Sequence, residues 1–417
     1  MPSESLVSRR GLLATLAGAA SIGLGAVVGS DAVRPPLSLE HRVPAGEWPM
    51  AKRTPRRTSF QPQPGPQDGL VEAWHQPVES ANTVSPGLVA THDRVYTVGR
   101  YTVRAIASAD GQPDWTRPRE NAPSVLTSRA PFEFLQTGPT VSGDHLYVVG
   151  GVTLYGLDAT SGQSTWALRT TSSFDHVLPV GTLVVVGVSR GSDSLVALDQ
   201  ATSFERWSRA TAEVPLAFAS GTEGHVDAPL LLTGTTAQSN SRQLVGRDPV
   251  DGSVRWRTTA DAPSFEAFAL PAISEGRVYA GGPRLTAFAA TDGSVEWQTP
   301  TVDRAESISP VTDGERVYGV GGGVAVAVDA ATGTRQWSVS VGDVTPFVPP
   351  VIAGETLYIP GDDAVIALDT TDGSTRFRHA LPESTGGIDG MASADGNLYV
   401  RTHESVRGYV ASGEADL

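Results

Sequence analysis

One spacing governs this chain: an Asp, a Gly four residues on, and a Trp four residues after that. It occurs at Asp158, Gly162 and Trp166, at Asp248, Gly252 and Trp256, and at Asp329, Gly333 and Trp337. Ser203 fills the middle slot between Asp199 and Trp207, and Phe377 fills the last slot after Asp369 and Gly373. Ala107 and Ala289 take the first slot, ahead of Gly111 with Trp115 and of Gly293 with Trp297. A period of about 40 residues with a constant interior describes one supersecondary unit repeated, as in a solenoid or a ring.

Each slot has a mechanical reason. Apolar runs such as Val365-Ile366-Ala367-Leu368 precede the Asp and read as a buried strand. The carboxylate accepts from backbone N–H groups two or three residues on, and the Gly supplies a positive φ, so together they turn the chain tightly. The Trp then falls on the returning strand, where it buries about 150–250 Å². At about 25 cal/mol per Å² that is about 4–6 kcal/mol as an upper figure.

A second hairpin lies upstream, marked by Arg94-Val95-Tyr96, His145-Leu146-Tyr147, Arg277-Val278-Tyr279, Val317-Tyr318, Leu357-Tyr358 and Leu398-Tyr399. Prolines at 86, 139, 179, 229, 271, 310 and 350 mark the start of the innermost strand in seven units. Proline cannot donate to a ladder and is tolerated at a strand's first residue. Each unit is therefore four short antiparallel strands, and the chain is all-β.

The count of units follows. Seven end at Trp115, Trp166, Trp207, Trp256, Trp297, Trp337 and Phe377. Residues 391–411 then supply three more strands without a fourth. Leu70-Val71-Glu72-Ala73-Trp74 is an orphan outer strand that completes them. Joining the two ends predicts an eight-bladed β-propeller in which N- and C-terminal strands share the last blade, a closure that leaves no open end to the ring.

The frame from Leu157 to Trp166 resembles the PQQ-like β-propeller repeat, and the resemblance spans about residues 47–411. It includes Trp48-Pro49-Met50 and Arg57-Thr58, similar to the ordered lead-in of that family. This divides the chain into residues 1–32, a leader; 33–68, a Pro-rich lead-in whose second half is expected to pack on the ring; and 69–413, the propeller. Two branches of the family are implied. One comprises quinoprotein dehydrogenases, which hold pyrroloquinoline quinone and calcium over the axis. The other comprises non-enzymatic scaffolds such as that of the bacterial outer-membrane assembly machine, and this chain resembles the second more. The dehydrogenase pocket sandwiches its quinone between a Trp and a disulfide of adjacent cysteines. Here there is no Cys, and all eight Trp are assigned, seven to outer strands and Trp48 to the lead-in. Neither quinone nor calcium is expected, and no cofactor, metal or catalytic residue is assigned.

The leader reads as an address. Ser8-Arg9-Arg10-Gly11-Leu12-Leu13 opens an uncharged segment to Ser30, which resembles a twin-arginine export signal. Cleavage, or retention as an anchor of about 20 residues, would equally place the remainder outside the cytoplasmic membrane; a membrane contact is expected only through an uncleaved leader. The net charge of −14, with Lys52 as the single lysine, suits a halophilic surface or reflects a GC-rich genome. It disfavours nucleic acid as a partner.

No other chemistry emerges. The eight His show no zinc spacing, Gly321-Gly322-Gly323 lacks the Lys-Ser/Thr and helix of a phosphate loop, and no nucleophile elbow is present. The loops from outer strand to next inner strand gather on one face and are unequal. Insertions near residues 117–136 and 210–227 carry Phe132-Glu133-Phe134 and Glu223 with His225 and Asp227. Phe174-Asp175-His176, Phe265-Glu266 with Phe268, and Phe347 are assigned to the same face. Aromatics mixed with carboxylates there form a protein-binding surface, or else the Phe side chains plug the channel. The leading expectation is an exported scaffold binding an envelope or secreted protein. The alternatives are a quinone- or metal-dependent oxidoreductase and a carbohydrate-binding or structural cell-surface protein.

Overall fold

In the computed structural model, residues 36–79, 87–117, 138–189, 194–221, 224–235, 243–258, 270–282, 284–300, 308–345, 348–382 and 386–413 are described. Four-stranded antiparallel sheets stand around an axis as an eight-bladed β-propeller. Blades 1 to 8 are taken in chain order of their inner strands. These are Leu88–Ala90, Thr140–Ser142, Ser173–Val180, Glu213–Ala219, Ala272–Ser274, Val311–Thr312, Val351–Ala353 and Ile388–Ala394.

Blade 8 closes the ring as the orphan strand required. Leu70–Pro77 pairs antiparallel with Ser405–Ala411, setting Glu72 opposite Tyr409 and Trp74 opposite Gly408. An ion pair between Arg407 and Glu72 adds to the ladder.

The repeat makes the rim. In the hairpin at Asp158, Oδ1 accepts the Ser161 N–H at 2.7 Å and Gly162 has φ +66°. A register shift in every pairing with an outer strand then sets the Trp. Six of the seven outer-strand Trp bond to the next blade: Nε1 of Trp74, Trp115, Trp207, Trp256, Trp297 and Trp337 donates to a carbonyl of that blade's hairpin at 2.8–3.2 Å. The hairpin glycine lies flat on the ring; a Cβ at Gly162 would stand 2.5 Å from Trp115. Within its own blade the aromatic meets the second-strand Tyr, as Tyr318 and Trp337 do at 5.8 Å between ring centroids. Phe377 keeps that contact, with Tyr358 at 6.4 Å.

Two prolines sit elsewhere than the sequence reading placed them. Blade 4's inner strand is Glu213–Ala219, so Pro229 precedes its second strand, Leu230–Thr235. Pro179 lies near the end of Ser173–Val180 rather than at its start. Both inner strands begin early because residues 170–172 and 211–212 are the whole connections into them. An inner strand has only one paired edge, so a proline there sacrifices no ladder bond if its nitrogen faces the axis.

The lead-in fills what the repeat leaves open. Its carbonyls take at least one backbone N–H from every blade. Those of Trp48, Pro49, Pro55, Arg56, Thr58 and Ser59 accept from Ala90, Val141, Phe218, Ile273, Thr312 and Ile352 on the inner strands of blades 1, 2, 4, 5, 6 and 7, at 2.7–2.9 Å. Ser38 and Gly46 accept from Thr182 and Asp395, in the first turns of blades 3 and 8. Phe60–Gln61 then adds a parallel strand to Val351–Ala353. Inner-strand edges would otherwise expose unpaired amides to the axis. Four of these residues, Lys52, Arg53, Arg57 and Ser59, hold φ between +57° and +70° without being glycine, a cost the surrounding contacts must offset.

Candidate functional site

Successive strands of a blade run up and down, so its connections alternate between two sides. The first and third connections make the turn side; the second connection and the link to the next blade make the loop side. Ser38 and Gly46 rest on first turns, so the lead-in approaches the axis from the turn side. The loop side carries unequal links, residues 118–139 between blades 1 and 2 against residues 211–212 between blades 3 and 4.

The sequence-derived interaction residues divide on this geometry. Phe132, Glu133 and Phe134 belong to the link 118–139 and lie outside the described residues, as do Glu223, Phe265, Glu266, Phe268 and Phe347. His225 and Asp227 are on the turn side, because the blade 4 insertion falls between its first and second strands. Both are exposed, and His225 Nδ1 lies 3.1 Å from Glu275 Oε1. Phe174, Asp175 and His176 are on the inner strand of blade 3, not on a loop. Phe174 is buried in the core, and His176 sits at the register shift with φ +35°. Among the described residues the candidates therefore divide, His225 and Asp227 on the turn side and Phe174 in the core of blade 3.

Other charged groups escaped the sequence reading. On the loop side of blade 8, Arg401 is fully buried and donates to the carbonyls of Val98 at 2.6 Å, Gly87 at 3.3 Å and Glu79 at 3.3 Å, tying blade 8 to blade 1. Burial lowers its pKa to about 10. Asp389 lies close by on the inner strand, 3.4 Å from His403 Nδ1, and burial raises its carboxyl. Inside blade 4, Glu213 accepts from Thr233, Arg247 and Arg257 at 2.5–3.1 Å. Burial there works to raise the Glu213 carboxyl, but these bonds, Arg247 foremost, outweigh it and hold the pKa down. A carboxylate so fully bonded is a strut rather than a base. Among the described residues no three His, Asp or Glu side chains converge as a metal site requires.

On the axis itself stand cations. Lys52 Nζ donates to Leu270 O at 2.6 Å and Pro310 O at 2.5 Å, the residues that lead into the inner strands of blades 5 and 6. Arg57 Nε donates to Leu216 O at 3.2 Å in blade 4. The signal for this was in the sequence: residues 52–57, Lys-Arg-Thr-Pro-Arg-Arg, place four cations in a chain of net charge −14.

Residues 99–320 and 320–415 match the profile of the family described as outer membrane protein assembly factor BamB. The chain belongs to that family. No curated protein matches the sequence. Among solved structures, BamB from Moraxella catarrhalis is 18 % identical with a TM-score of 0.61, over 82 % of this chain and 98 % of its own. Quinohemoprotein alcohol dehydrogenase from Comamonas testosteroni is 13 % identical with a TM-score of 0.65, over 89 % and 81 %. The computationally designed Ika8 protein is 11 % identical with a TM-score of 0.63, over 83 % and 100 %. At these identities the likeness is one of fold. A BamB structure, a dehydrogenase and a designed ring share it about equally, so the ring by itself does not discriminate among functions.

Proposed function

We propose that this chain is an exported, non-enzymatic binding scaffold of the cell envelope, whose loop side binds another envelope or secreted protein. The family match over residues 99–415 carries the reading, since the family is described as an assembly factor. The geometry supports the choice of side. The lead-in covers the axis from the turn side, and the longest link between strands, 118–139 with its Phe-Glu-Phe, belongs to the loop side. Quinone and calcium fit the axis poorly in this reading. Lys52 and Arg57 put N–H donors on the backbone oxygens there, where a calcium ion needs six to eight oxygen ligands. The oxidoreductase alternative draws on fold relatives at 13 % identity, which carry fold alone.

A face-resolved cross-linking experiment in intact cells tests this. A photo-cross-linking phenylalanine analogue is placed at Phe132 on the loop side or at Asp227 on the turn side. A single envelope protein captured from position 132 and not from position 227 is the expected result. Capture from 227 alone, equal capture from both, or none from either would overturn the assignment.

A further inference from the structure

Lys52 is the chain's single lysine, and 1 % of it is exposed. Arg57, 3 % exposed, is beside it and donates from Nη1 to Ala51 O at 2.5 Å as well as to Leu216 O. Among the described residues neither forms an ion pair, and no carboxylate acts on either. Buried cations normally come with a carboxylate, because leaving water uncompensated costs several kcal/mol. Here the compensation is made of backbone carbonyls alone. The two that meet Lys52 come from adjacent blades, so this contact exists only when blades 5 and 6 stand in their closed-ring positions.

We propose that the axis contains an amine site, formed by the carbonyls of Leu270 and Pro310 and filled by the chain's own Lys52. The lead-in is thus a tethered ligand of the ring, and its amine clamps blades 5 and 6 from the inside. Two N–H groups of the Lys52 Nζ meet the two carbonyl acceptors. Burial, and after it the charge of Arg57, lowers the pKa of the amine well below its usual range. Removing the side chain leaves two buried carbonyls without a donor, a vacancy of the right chemistry for a small primary amine. The inference stands apart from the choice of partner or face, because it concerns only the axis.

Chemical rescue tests it. Full-length Lys52→Ala is melted at pH 9 with methylamine, and separately with tetramethylammonium at the same concentration as a cation that lacks N–H donors. The expected result is a melting temperature below that of the unchanged protein, raised saturably by methylamine only, while the unchanged protein responds equally to both. Unaltered stability of Lys52→Ala, or equal response of the variant to the two additives, would overturn the site. Should the variant fail to fold, amine acylation of the native protein read by mass spectrometry decides instead. One lysine gives one side-chain signal, and the terminal α-amine is the internal control. Acylation of Lys52 slower than that of the control by at least about 100-fold, as for a group exposed only by opening, is expected. Labelling at a comparable rate would show the amine outside its site and end the proposal.

Discussion

The rim and the axis of this propeller are held by opposite strategies. On the rim, one wedge is copied: an aromatic ring, a carbonyl of the next blade, and a hairpin residue lying against the ring. On the axis, a single uncopied segment bonds all eight blades. Copies make contacts independent, so damage to one stays at one interface. A shared segment makes contacts joint, since displacing residues 46–61 would free inner-strand amides around most of the circle. Repetition therefore gives this fold its tolerance, and the lead-in gives it its closure.

The largest single-residue effect is expected on the rim and should remain local. Trp256 is 7 % exposed, donates to Ala290 O at 2.9 Å, and packs on Gly293. Replacing it with Ala removes most of that burial and should cost about 3–5 kcal/mol by urea denaturation. Hydrogen exchange should quicken in blades 4 and 5 and not in blade 8. A loss below about 1 kcal/mol, or exchange quickened evenly around the ring, would break the contrast between copied and shared contacts.

What was legible in the sequence follows the same division. The rim was legible because repetition displays its own spacing: the Asp and Gly turn, the Trp on the returning strand, and the Trp74 strand that completes blade 8 all followed from register. The axis was not, since Lys52, Arg53 and Arg57 occur once and no period marks them. Their four-cation run stood out only against an acidic composition, and its meaning came from blades that are more than 150 residues away in sequence. The candidate face fared unevenly for a related reason. An insertion length says that a unit is longer, not which of its four connections grew. Blade 1 extends into the link 118–139, whereas blade 4 extends inside its first hairpin, carrying His225 and Asp227 to the other side.

A middle-sized effect belongs to the lead-in and is read with pH. His41 lies between the bonds of Ser38 and Gly46, and burial lowers its pKa from 6.5 to about 4. The neutral ring is favoured in the folded protein, so its contribution is fully present above about pH 6.5 and is lost as pH falls towards about 4. At pH 4.5, compared with pH 7, the unchanged protein should lose about 2 kcal/mol more stability than His41→Phe does. Denaturation midpoints of both proteins at the two pH values give this difference directly. A pH response identical in the two would mean that the approach to the axis is solvated, and the lead-in less firmly seated than its hydrogen bonds imply.

The smallest effect has the opposite sign and concerns the odd member of the rim. Blade 3 has Ser203 where the other six hairpins have Gly, yet it adopts the same left-handed conformation, φ +57°. The Trp that should rest on this hairpin is Trp166, whose Nε1 finds no partner among the described residues and whose ring is less buried than those of its counterparts. Phe204, the next residue, is 74 % exposed at a slot held by Gln, Ser or Thr in the other six copies. Ser203→Gly relieves the strained φ and lets Trp166 settle as Trp115 settles on Gly162. A gain of about 1 kcal/mol is expected, since an L-residue in this region costs about 1–2 kcal/mol. Part of that gain is offset by the greater freedom of glycine in the unfolded chain. If the rim is a set of equivalent copies, this substitution repairs its weakest one; a loss of stability would instead show that the Ser203 side chain makes the interface between blades 2 and 3 in a way the other interfaces do not.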